Sequence, residues 1–256
     1  MSTHDPDFEL RLATSAEDIR AGQRLRYEVF VEELGGCGAL VDHAARLERD
    51  CYDAEFDHLL LFDKARPGGP AVGVYRLMRS DMLGPEGRFY SEDEYDLSVL
   101  KHSGKRLLEL GRSCVHPDYR GGPAVMKLWQ GLLAYVDRHA IDVMFGTASF
   151  HGTDIAALDM PLTHLYHNHL APEELRVQAV PEHIQVMDRL PVEAVDRVAA
   201  MRAVPTLLKA YLRLGGFVGD GAYIDHQFNT IDVCIVVEIA RVPPRMRALY
   251  AGGVIG

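Results

Sequence analysis

Glu109 and Arg112 stand three residues apart in the apolar run Leu107-Leu108-Glu109-Leu110-Gly111-Arg112-Ser113-Cys114-Val115. An acid this close to a guanidinium either handles a proton or is locked in an ion pair that only steadies the strand. On a regular strand the two residues have opposite parity, so they share a side only where a bulge intervenes. The run leads into His116-Pro117-Asp118-Tyr119-Arg120-Gly121-Gly122 and then a helical pattern. Free N–H groups at a helix start bind anions, and glycines allow close approach. The same Gly-Gly pair equally serves a tight turn with no ligand. Asp50 and Asp53 lie in an irregular polar segment, where acids are usually just solvated. Arg26 and Arg76 suit bidentate carboxylate binding, whether to those acids or to a substrate.

Hydrophobic periodicity supplies the elements that must position these groups. Strands are expected at 8–13, 58–62, 71–78, 107–115, 143–148 and 231–239. The second and third are joined by Arg66-Pro67-Gly68-Gly69-Pro70, which predicts an antiparallel hairpin. Ser15 before Ala16-Glu17-Asp18 marks a helix start, and Gly35-Gly36 ends that helix. Val125, Leu128, Trp129, Leu132, Leu133 and Val136 share one helical face. Further helices are expected at 158–170 and 205–214, the latter with Pro205 at its start and Gly215-Gly216 at its end. Residues 84–98 read as a loop or a weak short helix. The order predicts one α/β domain spanning 1–256 with a mixed sheet, with 1–7 and 241–256 as flexible tails.

The chain has 256 residues, with 27 Lys and Arg against 37 Asp and Glu, a net charge of −10. That balance argues against nucleic-acid binding. No apolar run approaches the roughly 20 residues that cross a bilayer, and the polar, acidic start does not resemble a secretory signal. Four scattered cysteines without a CxxC pair suit reduced thiols in a cytoplasm.

The segment Val115-His116-Pro117-Asp118-Tyr119-Arg120-Gly121-Gly122 resembles the cofactor-binding turn of the GNAT acyltransferase superfamily. The resemblance implies an α/β GNAT fold, a mixed and mostly antiparallel sheet flanked by helices. It also implies backbone amides that hold the donor's phosphate and a splayed fourth strand that holds pantetheine. Pro123 and Val125 stand where that family usually has Gly, so the pyrophosphate cradle is reduced. A phosphopantetheine on acyl carrier protein, with one phosphate and no nucleotide, suits this turn better than acetyl-CoA. Arg26-Tyr27-Glu28-Val29-Phe30, Asp50-Cys51-Tyr52-Asp53, Arg76-Leu77 and Glu109-x-x-Arg112 resemble acyl-homoserine-lactone synthases. Their aromatic after the Phe falls on or near Gly36 here, against an S-adenosylmethionine pocket.

A third resemblance covers most of the chain. Leu108–Val115, Tyr166-His167-Asn168-His169-Leu170-Ala171-Pro172 and Leu207–Gly215 carry it, with Gly219-Asp220-Gly221-Ala222, Ile224–Thr230 and Asp232-Val233. These segments are similar to the bacterial L-ornithine Nα-acyltransferases of ornithine lipid synthesis, also called hemolysin-like. That family moves a 3-hydroxyacyl group from acyl carrier protein to the α-amine of ornithine. The resemblance implies Glu109 and Arg112 as catalytic residues, with Glu109 receiving the ammonium proton directly or through a water. It implies substrate contacts from Arg26, Phe30, Asp50, Asp53, Arg76, Tyr166, His167, Asp225 and His226. Val115, Arg120, Gly121, Gly122, Lys105 and Arg106 are expected at the phosphopantetheine and carrier end.

The expected donor is a substrate, with no bound cofactor and no metal. His164, His167 and His169 form an HxxHxH group, but 164 and 167 share a helix face and 169 does not, so hydrogen bonding is expected there rather than zinc. Ser149 and Tyr166 are candidate proton donors to the leaving thiolate. An acidic carrier needs a basic patch, and Lys101, His102, Lys105, Arg106, Arg120 and Lys127 are the candidates. The acid-free tail, with Arg241, Arg245, Arg247, Met246, Leu249 and Tyr250, either frays or touches the inner membrane. Direct transfer is expected, since no cysteine has a nucleophile's setting. The alternatives are another GNAT N-acyltransferase, using another amino acid or acetyl-CoA, and an inactive GNAT-fold binding or hemolysin-like protein.

Overall fold

A computed structural model describes residues 5–84, 87–181, 183–253 and 255. In chain order the elements are β1 (Phe8–Leu12), α1 (Ala16–Arg26), β2 (Asp57–Asp63), β3 (Ala71–Arg79) and β4 (Tyr95–Asp96). Then come α2 (Ser98–Lys101), β5 (Leu107–Val115), α3 (Pro123–Arg138), β6 (Val143–His151), α4 (Asp159–His169) and β7 (Gln178–Ala179). The chain ends with α5 (Arg197–Ala203), α6 (Thr206–Arg213), β8 (Phe217–Val218), β9 (Tyr223–Asp225), β10 (Thr230–Glu238) and α7 (Pro244–Tyr250).

The chain forms two compact units, and β5 contributes residues to each. The first comprises 1–78, 110–140 and 247–256. Its strands run in the order β1-β2-β3-β5, with the expected antiparallel hairpin between β2 and β3. The sheet forms because β2 and β3 are rich in Leu, Val, Phe and Tyr and are buried along almost their whole length. Helix α1 starts where Ser15 and Asp18 cap each other's backbone N–H groups. Helix α3 buries Leu128, Trp129, Leu132 and Val136, each such side chain contributing about 1.5–3 kcal/mol. Gly131 lets α3 lie close on the sheet, since a Cβ there would meet Leu10 at 2.5 Å.

The second unit comprises 79–109 and 141–246. Its strands run β5-β6-β10-β8, with β9 also on β10, and β4 pairs with β7 in a small separate sheet. The β6–β10 ladder is antiparallel over nine residue pairs and β10 is buried almost throughout. The β5–β6 ladder is parallel through Leu107–Glu109 against Val143–Phe145. The sheet is therefore mixed and mostly antiparallel, with helices packed beside it, as expected.

Several elements differ from the sequence reading. The first helix does not run on as regular α-helix: Tyr27–Glu33 is a π-helical turn, with Gly35 left-handed after it at φ 75°. The polar 84–98 stretch holds a 3-10 turn at Tyr90–Asp93, while Pro85 lies outside the described residues. Helix α5 carried no strong apolar stripe, but Asp196 caps the N–H groups of Val198 and Ala199. Pro244–Tyr250 is helical, Tyr250 stacks on Trp129 at 5.5 Å, and Ile255 is buried with its carbonyl accepting from Arg138. The apolar residues of the tail gain more from covering Trp129 than from solvent. At the other end, residues 1–4 of the expected N-terminal tail lie outside the described residues.

Candidate active site

In the first unit, Asp50 and Asp53 form a capping box at the start of one 3-10 turn, Cys51–Ala54. Asp50 accepts from the Tyr52 N–H, and Asp53 accepts from the Asp50 N–H. That local turn aims both carboxylates at guanidinium groups. Arg26, fully buried, donates to Asp53 at 2.6 and 3.0 Å, to the Glu48 carboxylate, and to the Glu48 carbonyl at 2.7 Å. Arg76 donates to Asp50 at 2.6 Å and Asp53 at 3.0 Å, and its guanidinium lies 4.6 Å over the Phe56 ring. Gln23 completes the shell of Asp53 at 2.8 Å.

Arg112 enters the same network from β5, bonding Glu48 at 3.3 Å and Asp50 at 3.1 Å. Its φ of 48° is left-handed, an irregularity in mid-strand that costs a non-glycine residue about 1–2 kcal/mol. The two acids hold it there. Burial raises the Asp53 carboxyl, but the Arg26 hydrogen bond and the charges of Arg26 and Arg76 outweigh it and hold the group well below the carboxylate range. Burial pulls Arg26 down, and Glu48 and Asp53 more than reverse that. The acids expected to meet a cationic substrate thus face arginines of the chain itself. Phe30 packs, half-buried, on the core formed by Leu25, Val29, Leu60 and Phe62.

The turn after β5 has Gly121 left-handed at φ 72°, and Gly122 precedes α3 with Pro123 in its first turn. Gly121, Gly122 and Arg120 are exposed. The Arg120 guanidinium grips Glu33 through two bonds, at 2.6 and 2.7 Å, and donates to the Val115 carbonyl.

In the second unit, Glu109 is 1% exposed. Its Oε1 accepts from the Ser91 N–H and hydroxyl, both at 2.6 Å, and its Oε2 from the Tyr90 N–H at 2.9 Å. Buried carboxylates need such donors. The consequence is that Glu109 and the 90–91 backbone fix each other.

The remaining expected residues of this unit lie on α4 and around the end of β9. His167 meets Asp188 at 2.7 Å, beside the half-buried Tyr166. Asp225 accepts from the N–H groups of Gln227 and Phe228, while His226 is exposed. His164 is buried beside His169, and burial lowers both imidazoles. The basic patch is weaker than its residue count suggested. Lys101 pairs with Glu92 at 2.8 Å, Lys105 with Glu238 at 2.5 Å, and Arg120 with Glu33, while Arg106 is exposed.

Some functional candidates escaped the sequence reading. Glu48 and Gln23 carry no signal in the chain; only folding brings Glu48 to Arg26 and Gln23 to Asp53. Tyr90 acts through its backbone N–H and Ser91 through its N–H and hydroxyl, which composition never marks. Glu94, Asp225 and Asp232 converge, with one carboxylate oxygen of each within 4.8 Å of the others, a set that can hold a cation. Asp232 did have a signal, as an acid inside the apolar run Ile231–Ile235.

Comparison with known proteins supplies a context for these groups. Residues 25–130 match the acetyltransferase (GNAT) domain family. The chain is 54% identical over 252 residues to an L-ornithine N(alpha)-acyltransferase of Rhodobacter capsulatus, covering 97% of this chain and 96% of that one. It is 46% identical to an L-ornithine N(alpha)-acyltransferase of Brucella abortus, over 95% of this chain and 88% of that one. In fold it is similar to a CoA-dependent acyl-homoserine lactone synthase solved with SAM and isopentyl-CoA. There the TM-score is 0.56 at 13% identity, covering 98% of this chain and 93% of the other.

Proposed function

The chain belongs to the L-ornithine N(alpha)-acyltransferases, and from that premise we propose that it acylates the α-amine of L-ornithine with a 3-hydroxyacyl group from acyl carrier protein. The observation that carries this reading is 54% identity spread over nearly the whole of both chains. The product is a lyso-ornithine lipid.

The chemistry is attack of a neutral amine on a thioester carbonyl. The ammonium first gives up a proton, and the C–N bond then forms as charge develops on the carbonyl oxygen. The C–S bond breaks last as the carbonyl re-forms, the attacking nitrogen gives up its second proton, and the leaving thiolate takes one. Glu109 is the proton acceptor in this reading, through a water, with its carboxylate oriented by Tyr90 and Ser91. Ser149 and Tyr166 are the candidate donors to the thiolate. Backbone N–H groups of β5 beyond Glu109 receive the oxyanion, where charge-assisted bonds are strongest. The phosphopantetheine phosphate meets the exposed Gly121-Gly122 turn, with Val115 and Arg120 beside it. Pro at the first position of α3 leaves fewer amides for a second phosphate, which favours the carrier over CoA. Lys105 and Arg106 meet the acidic carrier. Glu48 and Asp50 hold Arg112 in place, and Arg26, Asp53 and Arg76 complete that network rather than gripping ornithine.

No helix among the described residues is long and apolar enough to cross a membrane. The reading places the enzyme in the cytoplasm, where the carrier is available, with its product delivered to the inner membrane.

The test is mass spectrometry of lipids from a host that lacks ornithine lipids, before and after expression of this chain, paired with an assay of the purified protein. Lyso-ornithine lipid should appear, and purified protein should use acyl carrier protein as donor. Transfer from acyl-CoA alone would remove the carrier. Acylation of some other amine, with ornithine untouched, would remove the acceptor.

A further inference from the structure

One face of the second unit's sheet carries an unusual set of polar groups. Strand pairing assigns them. Glu109 lies beside Phe145, and Phe145, Thr147 and Ser149 alternate on the same side of β6. Cys234 is opposite Thr147 and Asp232 opposite Ser149, so Asp232 and Thr230 also face that side. Tyr223 is opposite Asp232, and Asp225 opposite Thr230. Glu109 therefore stands on the same face as Asp232, Thr230 and Asp225.

The segment after Phe89 lies along this face. Phe89 meets Phe145 edge-on at 5.0 Å, and the Tyr90 and Ser91 amides bind Glu109. Tyr95 donates its hydroxyl to the carbonyls of Asp232 and Gly221 at 3.0 Å. Glu94, one residue earlier, brings the third carboxylate to Asp225 and Asp232.

Glu94 and Asp232 are 5% and 4% exposed. Three carboxylates this close repel strongly unless a cation or proton lies among them. Thr230 supplies a second, separate observation. It is 7% exposed, and its Oγ1 has no hydrogen-bond partner among the described residues. Its place opposite Asp225 and two residues from Asp232 puts the Thr230 side chain on the face that carries the acids. A buried hydroxyl left unsatisfied is costly, and a ligand that donates to it removes the cost. An ammonium fits: it offers three donors and no acceptor, and the site offers acceptors. On this face Ser149 is exposed and Tyr223 and Asp225 are half-buried, so a ligand would enter from that end. Burial, then the fields of Glu94, Asp225, Asp93 and Asp232, push the Tyr223 phenol above its ordinary range, which matches an anionic pocket beside it.

We propose that Glu94, Asp225, Asp232 and Thr230 hold the side-chain ammonium of the acceptor, with its α-amine directed along the same face toward Glu109. The pocket then selects a diamino acid by its far end. This inference rests on the acceptor being ornithine, as proposed above.

Calorimetric binding to the full chain, in chelator-treated buffer, tests it without any acyl donor. L-Norvaline matches ornithine but lacks the terminal ammonium. Ornithine should bind about 100-fold more tightly than norvaline, from the charge-assisted bonds lost. Asp225→Asn keeps the oxygen that caps Gln227 and Phe228 but removes the charge, and Thr230→Val removes the hydroxyl. Each should narrow the gap about tenfold and leave norvaline binding unchanged. Equal binding of both amino acids by the parent chain, or no binding of either, overturns the proposal. So does a variant that weakens both alike. Tight binding of Mn2+ or Ca2+ that Asp225→Asn abolishes, and that excludes ornithine, overturns it in favour of a metal site. A chain that passes the binding test yet transfers no acyl group refutes the acyltransferase reading alone.

Discussion

Asp53 ties several parts of the first unit together. It receives Arg26, Arg76, Gln23 and the Asp50 N–H. Breaking a buried pair leaves an uncompensated charge, and Asp53→Asn should cost about 3 kcal/mol in urea unfolding. The loss sits at the low end of such cases because Glu48 still faces Arg26. The pH dependence follows from two groups. The folded Asp53 carboxyl titrates below its ordinary 3.8, so its contribution is complete above that value and fades as pH falls below it. His58, which meets the Asp53 carbonyl, has its imidazole lowered by burial. The unfolded chain takes up that proton near 6.5 while the folded chain resists it, so stability declines as pH falls through 6.5. A urea midpoint that stays level from pH 7 to pH 5 would contradict this account of His58.

The C-terminal helix shows how an element can be invisible as an isolated segment and well placed in the fold. Alone, seven residues make a marginal helix. Docked, Tyr250 stacks on Trp129, and Gly253 passes so close to the Gln130 carbonyl that a Cβ there would collide with backbone. Trp129 is the single tryptophan, so its emission reports on this contact. Gly253→Val should undock the segment and red-shift that emission. Tyr250→Ala should cost about 1 kcal/mol through the lost ring contact. Unchanged fluorescence in Gly253→Val would mean the tail is held elsewhere.

For the molecule as a whole, direct transfer without an acyl-cysteine intermediate has a simple signature. Burial pushes the thiols of Cys114 and Cys234 far up, whereas Cys37 and Cys51 are exposed. Native protein should titrate two of its four thiols with a disulfide reagent and all four after unfolding. Cys234→Ala should retain transfer, and loss of transfer with intact folding would point to a covalent intermediate. The order of strands and helices was legible in the chain because apolar periodicity and turn residues are local properties. Ser15 with Asp18, the Gly68-Gly69 hairpin and the apolar face of α3 all declared themselves this way. Glu109 and Arg112 stood out as candidates too, since charge within an apolar strand is conspicuous and the surrounding residues resemble a known family. Their partners were not. Glu48, Gln23, Ser91 and Glu94 are ordinary polar residues until tertiary folding sets them against Arg26, Asp53, Glu109 and Asp232. Local sequence specifies each element's period and caps, whereas pairing among charges distant in the chain is chosen only when strand register and burial remove the alternative of water.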